Sequence, residues 1–237
     1  MTESEWLAST DPMPMLGFLR GRTSERKLRL FAVACCRCLG HLITDRRGRE
    51  AVEVAERFAE GRAGKGQMAE ARRALKAEER GLLRAAVMDA ARAEGNPEVV
   101  ATARAVAWAA AWDAAHYAVR AVGWDSASLC AQALAVARIW GRAKPIGVTD
   151  EATLLRDIFC NPFRPVKIDP AWLAWDGGNI RRMASAIYDE RAFDQMPFLA
   201  DALEDAGCDD QDILQHCRSR SEHVRGCWVL DALLGRS

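Results

Sequence analysis

Four residues near the C-terminus carry the clearest chemistry in the chain. Cys208, Cys217, His223 and Cys227 follow a C-x8-C-x5-H-x3-C spacing. Three thiolates and an imidazole make a complete ligand set for a closed tetrahedral zinc site. His216, beside Cys217, is a further candidate with a less favourable direction. The competing reading is that the cysteines pack as small hydrophobes in helix interfaces while His223 caps or starts the last helix. Ile213, Leu214, Trp228, Val229, Leu230, Leu233 and Leu234 give this segment apolar material of its own and favour packing.

The loop lengths match a CCCH-type RNA-binding zinc finger with the last two ligands exchanged. Such a finger is a loop-rich unit held by its metal, whereas this segment has the material for a small core. A second cluster, Cys35-Cys36-Arg37-Cys38 with His41, lies on an apolar helical stripe and reads first as core. Asp113 and His116, three apart, could form part of a general-base unit. They also make an ordinary helical contact, and no nucleophile can be placed beside them. The segment from Asn161 to Pro170 holds three prolines in ten residues, Pro162, Pro165 and Pro170, too many for a helix. There Arg164 could grip an anion or carboxylate, and Trp172 and Trp175 could offer flat apolar faces to a partner. GxGxxG, GxxxxGK[ST], HExxH and GxSxG are all missing from the sequence.

The elements that would position these residues read as helices throughout. Asp11-Pro12 opens a short helix through Leu19. Thr23 or Ser24 caps the next, with Leu28, Phe31, Ala32, Cys35, Leu39 and Leu42 on one face. Asp45 caps a third that stops at Gly61. Residues 65–94, 97–122 and 126–142 read as Ala-rich helices, and Lys144-Pro145-Ile146-Gly147 as a connector. A short helix through Phe159 and later ones over about 178–191, 195–206, 210–217 and 223–234 complete the chain. No strand alternation is present. The expectation is an all-α fold: an Ala/Arg-rich helical bundle over 1–142, then a region of short helices with one Pro-rich ordered loop over 143–237, packed as one unit.

Composition agrees. Among 237 residues there are 43 Ala, 28 Arg and 5 Lys, with a formal net charge of +0. Ala at that level favours helix. Zero net charge argues against a nucleic-acid or membrane-surface protein. The balance hides an asymmetry: residues 1–142 hold 22 basic and 17 acidic side chains, and residues 143–237 hold 11 and 16. The opening residues carry acids where a signal peptide needs a basic start and an apolar run, and no apolar stretch approaches a membrane span. A cytoplasmic protein with reduced cysteines is the expectation.

Three segments stand out together: Glu5-Trp6-Leu7 with Asp11-Pro12-Met13-Pro14-Met15-Leu16; Lys27 to Ala32 with Cys35-Cys36-Arg37; and Leu154 to Phe159 with Asn161 to Pro165. With the ending His223 to Trp228, they resemble an uncharacterised paralogous family of planctomycete bacteria. The resemblance implies a bacterial protein and no known activity, cofactor or site residue.

Without a catalytic signature, the leading expectation is a non-enzymatic helical interaction or adaptor protein with no cofactor. Its partner would be another protein or a second copy. The alternatives are a zinc-stabilised module able to contact nucleic acid, and an enzyme of unrecognised class.

Overall fold

The computed structural model describes residues 1–40, 43, 45–75, 118, 127, 129–132, 151–219 and 223–236. Every regular element among them is helical, and the fold is all-α. No helix of the described residues is long and apolar enough to cross a membrane. His41, the Asp113–His116 pair, the 65–94 helix beyond residue 75, the 97–122 helix apart from Ala118, the 126–142 helix apart from residues 127 and 129–132, and the connector at 144–147 lie outside the described residues.

The chain divides into two compact units, Pro12–Val148 and Met1–Asp11 with Thr149–Ser237. The division near residue 142 expected from composition is close to the later boundary. The first eleven residues, expected with the N-terminal bundle, belong instead to the C-terminal unit.

In the unit spanning Pro12–Val148, α2 (Pro12–Leu19), α3 (Glu25–Cys38) and α4 (Arg46–Ala59) begin where their caps are. The Ser24 hydroxyl accepts from the Lys27 amide at 3.3 Å, and the Asp45 carboxylate from those of Arg47 and Gly48 at 2.8 and 3.3 Å. These bonds satisfy amides that no helical carbonyl reaches. Removing the cap with Asp45→Ala should cost about 1 kcal/mol, read as faster hydrogen exchange along α4. Helix α3 buries every residue from Leu28 to Cys36, more than the single face its periodicity suggests. Arg29 is buried with them: its guanidinium donates to the Ala118 carbonyl at 3.2 Å and lies 5.0 Å from the centre of the Phe58 ring. Arg37 and Glu56 pair α3 with α4 at 2.9 Å. Cys35 and Cys36 are core residues, and the Cys36 sulfur lies 3.9 Å from that of Cys130.

The second unit starts with α1 (Glu3–Ala8), held by a capping box in which Thr2 and Glu5 satisfy each other's backbone amides. Its core is built by stripes from α5 (Glu151–Phe159), α6 (Pro170–Ala174), α7 (Asn179–Glu190), α8 (Met196–Asp205), α9 (Gln211–Arg218) and α10 (Trp228–Leu234). Ile180, Ala184, Ile187 and Tyr188 of α7 meet Met196, Leu199, Ala200 and Leu203 of α8, at the three- and four-residue steps a buried helix face requires. The Pro-rich segment is irregular between α5 and α6, as expected, and ends at Asp169, which caps α6 through the Ala171 amide at 2.8 Å.

The last helix starts later than its apolar pattern suggests, at Trp228 rather than near 223. Gly226, at φ 92°, turns the chain in a conformation that side-chain-bearing residues rarely adopt. The Val224 amide is given to a side chain instead of a helical carbonyl.

Candidate metal centre

The residues of α5 that build the core are Leu154, Leu155, Ile158 and Phe159. Asp157 lies among them and is 3% exposed. A carboxylate so placed must be compensated, because its hydration is lost. Three donors reach it. His223 Nδ1 lies 2.7 Å from Oδ1, His216 Nε2 lies 3.2 Å from the same oxygen, and the Val224 amide donates to Oδ2 at 3.0 Å. Burial pushes the Asp157 carboxyl up, but the hydrogen bonds it accepts from His216 and His223 outweigh it and hold the group below the usual carboxylate range.

His216 arrives from α9. Ile213, Leu214 and Cys217 face the core there, and residue 216 sits at the edge of that face with its ring half-buried. Asp210 starts the helix by accepting from the Asp212 and Ile213 amides. The turn at Gly226 brings Cys227 back to the same place. Its sulfur lies 3.2 Å from His216 Nε2 and 4.0 Å from His223 Nδ1. Trp228, first in α10, donates its indole N–H to His216 Nδ1 at 3.0 Å. The two imidazoles meet edge-on with centroids 4.8 Å apart.

Four ligand atoms therefore converge: Asp157 Oδ1, His216 Nε2, His223 Nδ1 and Cys227 Sγ, all within 4.8 Å of one another. A tetrahedral zinc with bonds of about 2.0–2.3 Å spaces its ligand atoms roughly 3.3–3.6 Å apart. Four of the six separations here run from 2.7 to 4.0 Å and all six stay within 4.8 Å, so shifts of roughly an ångström would bring the atoms to that spacing. The donor set also fits by charge. A carboxylate and a thiolate together neutralise a divalent cation, so the filled centre would bury no net charge. Burial, and after it the Asp157 charge, push the Cys227 thiol well above its ordinary range. A cation at this point reverses both effects and makes the thiolate the favoured form.

Two of the four residues singled out by spacing, His223 and Cys227, are in this cluster. The other two are not. Cys208 follows α8 and Cys217 lies on α9, and both sulfurs belong to the apolar core. The ligand-type atoms that converge are those of Asp157, His216, His223 and Cys227, and Cys208 and Cys217 are not among them. The reason is the pitch of α9. Cys217 repeats the buried direction of Ile213 and Leu214, while His216 is turned about 100° from it, toward α5. Burial pushes the Cys217 thiol up to about 12, helped by Cys208 and Asp157, as suits a packed hydrophobe.

Of the four, His216 lines a cleft of about 360 Å³, whose wall also includes Trp6, Arg156, Asn161, Arg164 and Trp228. Arg164 lies at the cleft and pairs with Glu3 at 2.6 Å and with Asp212 at 3.6 Å. The structure does not gather Arg164, Trp172 and Trp175 into one surface. Trp172 is a core residue at 8% exposure, and Trp175 is half-buried against the same core.

The geometry does not form a Cys–His–Asp relay. Such a relay needs one ring nitrogen on the thiol and the other on the carboxylate. Here the Nε2 of His216 faces both Asp157 and Cys227, and its Nδ1 is taken by Trp228. Comparison with protein-family models, characterised proteins and solved structures finds no match to the chain.

Proposed function

We propose that the unit containing Thr149–Ser237 binds a structural zinc through Asp157, His216, His223 and Cys227. The chain, on this reading, is a non-enzymatic helical interaction protein whose C-terminal unit is stapled by that ion. The observation that carries it is the convergence of four ligand-type atoms within 4.8 Å in a buried place. A closed set of four protein ligands supports a structural over a catalytic ion. The shared Nε2 contact of His216 argues against nucleophilic catalysis, and the acidic balance of residues 143–237, 11 basic to 16 acidic side chains, argues against a nucleic-acid partner.

Elemental analysis of the full chain, purified without chelator or polyhistidine tag, tests this. About one zinc per chain is expected. Cys227→Ser and His223→Gln should each weaken binding by about 100-fold or more, beyond what loss of an outer partner typically costs. Cys208→Ser and Cys217→Ser should keep their zinc. A metal-free protein, or zinc lost from the Cys208 and Cys217 variants and retained in the other two, overturns the assignment.

A further inference from the structure

The hydrogen bond from Trp228 to His216 conflicts with metal binding. An indole N–H only donates. At 3.0 Å from His216 Nδ1, it requires a lone pair on that nitrogen, which puts the proton of the neutral ring on Nε2. That assignment fits the opposite side of the ring, where Nε2–H meets the Asp157 carboxylate. A metal needs the Nε2 lone pair, and the ring proton must then sit on Nδ1. Two N–H groups would face each other where one hydrogen bond now stands. The usual arrangement is the reverse: a ligating histidine donates its other N–H to a carboxylate or carbonyl, which strengthens binding.

We propose that Trp228 is a latch that opposes metal binding, so that filling the centre releases the indole from His216. This rests on the zinc reading above. Trp228 and His216 both line the cleft, so release of the latch moves a wall of that cleft. Occupancy of a buried ion thereby becomes readable at the surface. The proton count closes. His216 and His223 each move one proton from the coordinating nitrogen to the other and stay neutral, and the Cys227 thiol gives one proton to solvent. The His223 Nε2 that gains a proton is buried and has no hydrogen-bond partner among the described residues, which further restrains binding.

Most substitutions of a partner next to a metal ligand weaken the site. Trp228→Phe should instead tighten it, by roughly three- to tenfold, because the bond that competes with the metal is gone. Competition titration of the full chain with zinc and a chromophoric chelator measures this. The second measurement uses the wild-type protein and does not depend on the variant folding. Nitrogen-15 NMR of the metal-free chain should find His216 protonated on Nε2, and zinc should shift the Trp228 indole N–H resonance. Equal or weaker zinc binding by Trp228→Phe, or an Nδ1–H tautomer in the metal-free protein, overturns the latch and leaves the zinc site standing. A wild-type chain that binds no zinc overturns the site, and the latch with it.

Discussion

Asp157→Ala is expected to lower the stability of the C-terminal unit by about 3–5 kcal/mol, the range for removing one partner from a buried charged network. The carboxylate takes His223 Nδ1, His216 Nε2 and the Val224 amide. Alanine leaves three donors without the carboxylate that accepts from them, at a buried place. The local reporter is the Val224 amide, whose hydrogen exchange should accelerate more than that of α7. Slow exchange at Val224 in the variant would rule out the anchoring role. The same group sets an acid limit. Its folded pKa lies below the ordinary carboxylate value, so the unfolded chain binds the proton first. The stabilisation is full above about pH 4 and is lost as pH falls through the folded value. Denaturant midpoints of the metal-free chain between neutral pH and pH 2.5 should fall over that window, and Asp157→Asn should flatten the fall.

The second large effect is expected at the other end of the chain. Trp6→Ala should cost about 3–5 kcal/mol, the range for truncating a buried large aromatic. Trp6 is 0% exposed. Its carbonyl accepts from Arg156 at 3.0 Å, as does that of Ser9. Glu3 adds a 2.6 Å bond from Asn161 and the pair with Arg164. Residues 1–11 are thereby tied to α5 and the irregular segment after it. Hydrogen exchange of the variant should show protection lost in α5, α9 and α10 and kept in α3 and α4. Uniform loss, or loss confined to α3 and α4, would contradict the placement of Trp6.

Much of this was legible in the sequence, and the rest was hidden for identifiable reasons. Caps such as Ser24, Asp45 and Asp210 announce helix starts because the bond they make is local. His223 and Cys227 were visible as candidates because they are four residues apart. Asp157 was not, because it lies 66 residues from His223 and a lone acid in a helix is usually solvated. A signal was present: Leu154, Asp157 and Ile158 fall at three- and four-residue steps, so the acid occupies an apolar stripe where only a compensated charge can stand. Counting cysteines favoured Cys217 over His216, although the pitch of α9 alone separates their directions. The docking of α1 left no compositional trace, since its bond to Arg156 spans 150 residues. Its capping box, Thr2 to Glu5, was a legible helix start that the apolar pattern alone passed over.

The division of the chain bears on its biosynthesis. Met1–Asp11 and Thr149–Ser237 form one unit, and everything between them belongs to the other. Residues 1–11 cannot dock when they are made, because Arg156 and the helices behind it are synthesised later. At about 5–20 residues per second, Trp6 waits on the order of 10–45 s for Arg156 and the helices behind it. During that time an indole destined for a core is exposed and is a target for chaperones. A rearranged chain in the order 12–148, 1–11, 149–237 would shorten the wait, and its yield compared with that of the natural order would measure what the delay costs.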